Sequence, residues 1–144
     1  MPYWAFAWSS GRALAKYILD HPDLVKGKTI CDFGAGSGIV ALAAMKAGAK
    51  AAWACDIDPV ARLSCELNGN ENALEVSVCE HVSEVPDLDL LVVGDVLYDP
   101  RNHKLAETLF NQNVPVIWAE SRAQTKLSHR GPMAAYQAQT QPNI

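Results

Sequence analysis

The chain has 144 residues, of which 49% are hydrophobic and 19% charged, and its mean hydropathy is -0.02. This is the size of one domain, with enough apolar side chains to bury a core, which excludes a disordered or coiled-coil chain. No apolar run approaches the ~20 residues of a membrane helix, and the opening residues lack the basic region of a secretory signal. We therefore expect one cytoplasmic domain over residues 1–144, with no membrane partner.

The net charge of -4 is unevenly distributed along the chain. Residues 51–100 hold eleven of the 16 acidic residues and one basic residue, Arg62, whereas both flanking segments are net basic. The basic residues form no continuous stripe, so no nucleic-acid partner is expected. The four cysteines form no Cys-x-x-Cys pair, which is typical of buried, reduced thiols, and the histidines are scattered, so no metal site is predicted.

Helix-like and strand-like segments alternate along the chain. The first helix is predicted over residues 11–19, with Ser9 or Ser10 as its cap. A strand over 29–33 leads through a glycine-rich turn into an Ala-rich, buried helix over 39–47 that Gly48 closes. The remaining predictions are strands over 51–56, 75–79, 90–94 and 114–119, a helix from Pro59 to about Leu67, and a helix over 101–111.

This alternation predicts an α/β fold in which a mostly parallel sheet is joined by right-handed crossovers. Ligands in such sheets bind beyond the carboxyl ends of the strands. Three unusual strand ends fall on that edge: the glycine-rich turn after the first strand, Asp56 after the second and Asp95 after the fourth. We therefore predict a ligand site there.

The turn Asp32-Phe33-Gly34-Ala35-Gly36-Ser37-Gly38 is the strongest motif. Glycines permit a tight turn and close approach of a ligand, and the helix start that follows offers free N–H groups. The third glycine comes one residue too early for a dinucleotide fingerprint, where Ile39 stands instead. The acidic Asp32 before the turn suits a ligand with a cationic part, such as an ammonium or a sulfonium. A nicotinamide-dependent oxidoreductase is therefore disfavoured.

Carboxylates follow the second and fourth strands. Asp56 can accept hydrogen bonds from both hydroxyls of a ribose, whereas Asp58 has a helix N-cap as its plainer interpretation. Asp95 and Tyr98 are placed to meet an amine through charge and ring contacts. The alternative is that Asp95 caps the next turn and Tyr98 packs in the core. The aromatic opening, residues 3–8, fits a hydrophobic lid and a ligand contact equally well.

These motifs together resemble the class I, seven-β-strand S-adenosylmethionine-dependent methyltransferases. Residues 32–38 match the glycine-rich motif of that family, residues 56–59 its second motif, and residues 94–98 the Asp-x-x-Tyr motif of its protein-lysine members. The aromatic opening with Trp8 is similar to the subgroup that methylates the β subunit of electron-transfer flavoprotein, with its bacterial relatives. The resemblance covers roughly residues 2–120.

The resemblance implies a Rossmann-like three-layer α/β/α sandwich. An aromatic segment and helix over 1–27 would precede a cofactor-binding core over 28–120, and residues 121–144 would supply an incomplete C-terminal hairpin. It implies S-adenosyl-L-methionine as the cofactor and places Asp95 and Tyr98, as catalytic residues, at the acceptor lysine. The implied cofactor-binding residues are Trp8, Asp32, Gly34, Ala35, Gly36, Gly38, Asp56 and Gly94.

The implied activity is N-methylation of a protein lysine, with the β subunit of electron-transfer flavoprotein as the candidate partner. The cofactor carries an activated methyl group, so the protein chiefly aligns donor and acceptor. Two alternatives stay open. The first is a methyltransferase of the same fold acting on ribosomal-protein amino groups or on a small amine such as nicotinamide, because fold does not fix the acceptor. The second is a fragment that binds the cofactor without activity.

Overall fold

The computed structural model of the chain describes residues 5–96, 102–111 and 113–120. The predicted alternation of helices and strands is present in this part of the chain, and two short 3-10 turns over 22–24 and 82–84 are added to it. The elements are α1 (Ser9–Asp20), β1 (Thr29–Phe33), α2 (Ile39–Lys46), β2 (Ala51–Cys55), α3 (Pro59–Glu71), β3 (Ser77–Cys79), β4 (Leu90–Gly94), α4 (His103–Phe110) and β5 (Val116–Ala119).

The five described strands form one sheet in the order β3-β2-β1-β4-β5, and every pair of neighbours is parallel. The strand order therefore runs outward in both directions from the contact between β1 and β4, where Ile30 pairs with Leu90. Such a reversal opens a crevice at the carboxyl ends of the two central strands, which is the usual ligand site of an open α/β sheet. The predicted parallel sheet is confirmed.

Two apolar clusters lie on opposite faces of the sheet. Because side chains alternate along a strand, Ile30 and Leu90 face one cluster while Cys31 and Leu91 face the other. The first cluster contains side chains of α1, α2 and α3, and the second contains Leu109 of α4 and the 3-10 turn over 82–84. The three-layer α/β/α arrangement expected from the sequence is thus confirmed.

On the face of the sheet that α1, α2 and α3 cover, close packing depends on small side chains. In α2, Ala41 and Ala44 are fully buried; this helix packs on β1 and β2 and lies beside α1, which packs on β4 and β5. From α1, Leu14 and Ile18 fill the space that remains. Burying a side chain of that size contributes about 1.5–3 kcal/mol to folding stability. The packing of α1 against α2 therefore holds α1 in place on the sheet.

The predicted cap of α1 and the predicted end of α3 are wrong. Ser9 and Ser10 do not cap α1, because the helix begins at Ser9 and its N-cap residue is Trp8. Helix α3 does not end near Leu67 but continues to Glu71. Gly69 lies inside it because a Cβ there would come within 2.9 Å of the Leu74 carbonyl oxygen, so this glycine serves close packing rather than helix termination.

All four cysteines are buried and free, as the sequence predicts. Cys31, Cys55 and Cys79 share one face of the sheet, and hydrogen bonds that the Cys31 thiol donates to the other two sulfurs, with burial, raise the pKa of Cys31 far above its ordinary value. Burial also raises the pKa of Cys65 to about 12. Within the described residues, no helix is long and apolar enough to cross a membrane.

Candidate active site

The glycine-rich turn leaves β1 at the centre of the sheet and enters α2. Two of its glycines have backbone angles that side chains rarely adopt and have neighbours that a Cβ would crowd. Gly34 has φ +70°, and its Cβ would lie 3.2 Å from a methyl carbon of Val96. Gly38 has φ +77°, and its Cβ would lie 3.0 Å from the sulfur of Cys65. At both positions a residue with a Cβ would be strained and would crowd its neighbour, so the path of the turn strongly favours glycine.

Hydrogen bonds to the end of β2 hold one side of the glycine-rich turn. The backbone N–H groups of Gly34 and Ala35 both donate to the Cys55 carbonyl oxygen, at 2.9 and 3.1 Å. The N–H of Gly36 donates to the carboxylate of Asp56 at 3.0 Å. The turn is therefore attached to the end of β2 along its length.

Helix α3 holds the other side of the turn. The Cys65 thiol donates to the Gly36 carbonyl oxygen at 3.3 Å, and the Asn68 side chain donates to the Ser37 carbonyl oxygen at 2.9 Å. Neither side chain was singled out from the sequence: Cys65 was predicted only to be a buried thiol, and Asn68 lies just past the predicted end of the helix. The turn is thus held in shape before any ligand arrives, which reduces the ordering that binding requires.

Asp32 lies beneath the turn and is 3% exposed. Its carboxylate accepts a hydrogen bond from the Ala41 N–H at 3.2 Å and so caps the first turn of α2. Burial raises the pKa of Asp32 to about 7, the bond from Ala41 opposes this rise, and the charge of Asp56 adds to it. The structure therefore gives Asp32 a capping role that the sequence did not predict.

Asp56 stands at the carboxyl end of β2 and is half-buried. One of its oxygens accepts from Gly36 at 3.0 Å and the other from the Asp58 N–H at 2.9 Å. A carboxylate oxygen can accept two bonds, so each has capacity for a ligand hydroxyl. Asp58 accepts from the Val60 N–H at 2.8 Å, which confirms the plainer interpretation of Asp58 as the N-cap of α3.

Two further residues around Asp56 were missed in the sequence. Arg62 donates to the Asp56 carbonyl oxygen at 2.6 Å and lies 3.6 Å from the carboxylate of Glu80, so it ties the ends of β2 and β3 together. Ile57, directly after Asp56, is 78% exposed. An exposed isoleucine beside a carboxylate offers an apolar surface next to a polar one.

On the other side of the crevice, Asp95 follows β4 in the left-handed region, with φ +48°. Its N–H donates to the Ala119 carbonyl oxygen at 3.0 Å, and its carboxylate accepts from the Ser10 N–H at 3.3 Å. Asp95 thus reaches the N-terminus of α1. Close packing of Gly94 makes this possible, since a Cβ there would lie 3.2 Å from a methyl carbon of Leu14.

Trp8 immediately precedes this contact and is 39% exposed. Its ring meets that of Phe6 edge to face, with centroids 6.3 Å apart. Phe6 and Trp8 of the aromatic opening therefore lie directly before the N-terminus of α1, which Asp95 contacts through Ser10. Residues 1–4, Tyr98 with its neighbours 97–100, and residues 121–144 with the predicted C-terminal hairpin lie outside the described residues.

The predicted site residues that the structure describes all lie at one edge of the sheet. Most of them fall into two groups, residues 34–38 with Asp56 and residues 94–96. We call the first group the donor side and the second the acceptor side, because the sequence resemblance predicts the cofactor at the first and the acceptor lysine at the second. The two sides touch where Val96 faces Gly34. Within the described ranges, no three His, Cys, Asp or Glu side chains are grouped to hold a metal ion.

Comparison with known proteins gives consistent matches. A sequence profile of the family described as ribosomal protein L11 methyltransferase (PrmA) matches residues 13–114. The human electron transfer flavoprotein beta subunit lysine methyltransferase is 40% identical over 122 residues, which are 81% of this chain and 45% of that protein. This chain therefore spans about half the length of the curated relatives it matches.

Two solved structures are similar as well. The ribosomal protein L11 methylase of Lactobacillus delbrueckii subsp. bulgaricus is 30% identical with a TM-score of 0.51, and the match covers 60% of this chain and 48% of that one. An RNA methyltransferase of Salinibacter ruber, solved in complex with S-adenosyl-L-homocysteine, has a TM-score of 0.56 over 72% of this chain and 68% of that one. At 18% identity, the second structure shares the fold alone.

Proposed function

Because the chain belongs to the ribosomal protein L11 methyltransferase (PrmA) family, we propose that it is an S-adenosyl-L-methionine-dependent N-methyltransferase acting on a protein lysine. The observation that carries the proposal is the Asp56 carboxylate, which is bonded to Gly36 of the glycine-rich turn and still has capacity for hydroxyls. Lysine as the acceptor is supported by the similarity to the human lysine methyltransferase.

The donor side fits this cofactor. Gly34, Ala35 and Gly36 would bind its methionine part, and Asp56 would accept hydrogen bonds from the ribose hydroxyls. Ile57 would cover one face of the adenine. Asp32 would place partial negative charge beneath the cationic end. The remaining cofactor contacts proposed from the sequence resemblance are Trp8, Gly38 and Gly94.

When bound, the cofactor supplies a sulfonium-activated methyl group. The task left to the chain is to align the acceptor amine with it, and such alignment can contribute about 7–11 kcal/mol. Asp95 would orient the lysine nitrogen through its carboxylate. A negative charge there favours the protonated lysine, whose pKa is ordinarily about 10.4, so Asp95 is not assigned as the base. Tyr98 is proposed to contact the same amine on the strength of the sequence motif.

The acceptor protein is proposed from the relatives. The β subunit of electron-transfer flavoprotein is the first candidate, because the human relative is named for it and is 40% identical over 122 residues. Ribosomal protein amino groups are the second, because the matched family and the Lactobacillus structure are named for ribosomal protein L11. A cytoplasmic location without nucleic-acid substrates is part of the same proposal, supported by the buried free thiols and the acidic net charge.

Incubating a cell lysate with S-adenosylmethionine labelled on its methyl group tests this proposal. We expect label in protein, at lysine, from the wild-type chain and from Asp58→Ala, which loses only a helix cap. Asp56→Ala should transfer no label above background. Label in RNA or in small molecules would contradict the lysine assignment. Tight binding of S-adenosylhomocysteine without transfer to any fraction would favour the inactive alternative.

A further inference from the structure

Glu120 follows β5 at the same edge of the sheet as the proposed site. One of its carboxylate oxygens accepts from the Val96 N–H at 3.0 Å and from the Trp118 indole N–H at 2.8 Å. Its side chain thus reaches from the end of β5 to the end of β4, across 24 positions of sequence. Bonds of a carboxylate to N–H donors are roughly twice as strong as bonds between neutral groups.

The same short segment is held by two further bonds. The Asn102 side chain donates to the Val96 carbonyl oxygen at 2.8 Å, so both polar backbone groups of Val96 are bonded by side chains. The Asp95 N–H donates to the Ala119 carbonyl oxygen at 3.0 Å. Val96 also packs against Gly34, so it lies where the acceptor side meets the donor side.

Asp95 needs such support because of its backbone conformation. A φ of +48° is unfavourable for a residue with a side chain, by about 1–3 kcal/mol, and persists only where the surroundings impose it. Without the Glu120 carboxylate, the Val96 N–H loses its acceptor, and Asp95 and Val96 can relax. The carboxylate of Asp95 would then point elsewhere.

We propose that Glu120 is a positioning residue for methyl transfer, which sets the direction of the Asp95 carboxylate by holding the Val96 peptide. The inference rests on the proposed function, because the effect of Asp95 direction on rate presumes an amine acceptor there. In this proposal Glu120 acts through the Val96 peptide and not on the substrate or cofactor directly. Its contribution therefore lies in kcat rather than in cofactor affinity.

Three variants of the full chain test this inference: Glu120→Ala, Glu120→Gln and Trp118→Phe. Glu120→Ala should lower kcat by about 10- to 100-fold, the scale of a misplacement of about 1 Å, with the Kd of S-adenosylhomocysteine changed less than about threefold. Glu120→Gln keeps an acceptor oxygen and should recover most of the rate. Trp118→Phe removes the indole N–H bond to Glu120, keeps an aromatic ring and leaves the bond from Val96 in place, so it should stay close to wild type.

Amide hydrogen exchange at Val96 supplies a readout that does not depend on activity. Protection of this amide should be present in the wild-type chain and in Glu120→Gln and be lost in Glu120→Ala. Unchanged kcat and unchanged exchange in Glu120→Ala would overturn the inference, and so would an equal loss of cofactor affinity and rate. If the wild-type chain methylates nothing, the proposed function has failed, while the exchange result still decides whether Glu120 holds Val96.

Discussion

The donor side and the acceptor side of the crevice are built in different ways. On the donor side, Asp56 bonds to Gly36 and to Asp58, residues that lie 20 and 2 positions away. On the acceptor side, Asp95 bonds to Ser10, which lies 85 positions away. The donor side is therefore one strand–turn–helix unit with its neighbour, whereas the acceptor side exists only after distant segments have packed together.

This difference in construction matches a division between two proposed tasks, cofactor binding and acceptor binding. A donor side of this kind can bind the same cofactor in proteins with many different acceptors, because β2 and α3 hold the glycine-rich turn by hydrogen bonds. An acceptor side assembled from α1, β4 and β5 can change with any of these elements. Changes on the donor side should therefore affect cofactor affinity and local stability, and changes on the acceptor side should affect rate.

The largest expected effect is that of Asp56→Ala on cofactor affinity. Losing two hydrogen bonds to a charged group costs about 3 kcal/mol or more, which corresponds to at least about a hundredfold increase in Kd. Calorimetric titration with S-adenosylhomocysteine measures this. Asp58→Ala is the matched control, since it removes a helix cap worth about 1 kcal/mol of stability and should leave Kd nearly unchanged. Equal Kd values for the two variants would remove Asp56 from the donor side.

Gly38→Ala should destabilise the donor side through both strain and contact. A positive φ costs a residue with a Cβ about 1–2 kcal/mol, and the new methyl group would also press on the Cys65 sulfur at 3.0 Å. Gly27→Ala is the control, because Gly27 has φ +72° with nothing within 4 Å of its Cβ position. Urea unfolding should show a larger loss for Gly38→Ala. Equal losses would mean that the Cys65 contact contributes nothing.

Asp32 gives the donor side a pH dependence that can be isolated. Burial raises its pKa from 3.8 to about 7, so between these values the folded chain keeps a proton that the unfolded chain has released. The contribution of Asp32 to the free energy of unfolding therefore decreases as pH rises from about 4 to about 7. Asp32→Asn cannot ionise and keeps an oxygen for the Ala41 N–H. Its stability relative to wild type should rise across that window in urea unfolding, and a constant difference would contradict the shift.

The smallest expected effect lies on the acceptor side, at Ser10. Its hydroxyl is buried without a hydrogen-bond partner among the described residues, a situation that costs about 1–3 kcal/mol. Ser10→Ala removes that hydroxyl and leaves the backbone bond to Asp95 in place, so stability should rise by about 1 kcal/mol. Exposed Ser9→Ala is the control and should change little. A loss of stability in Ser10→Ala would show that the hydroxyl has a partner.

The same difference explains what the sequence could predict. The parallel sheet and the glycine-rich turn follow from local patterns, and the family assignment confirms the resemblance that rested on them. The N-cap role of Asp58 is equally local and could be stated in advance.

Contacts between distant segments could not be predicted in this way. The capping of α2 by Asp32 and the contact of Asp95 with α1 depend on how separate elements pack. Glu120 was overlooked although it follows β5 as Asp56 follows β2, which is the signal that could have found it. Gly69 was interpreted as a helix end, but it stands inside α3 because the Leu74 carbonyl oxygen leaves no room for a Cβ there. A hydrophobic pattern along the helix does not reveal such a contact.

The central claim is that the donor side binds the cofactor independently of the acceptor side. Titrating S-adenosylhomocysteine into the wild-type chain, Asp95→Asn and Asp56→Ala tests it directly. Asparagine at position 95 tolerates the same backbone conformation but removes the charge. We predict that Asp95→Asn binds within about threefold of wild type while Asp56→Ala is weakened at least about a hundredfold. A comparable loss of affinity in both variants would contradict the separation of the two sides.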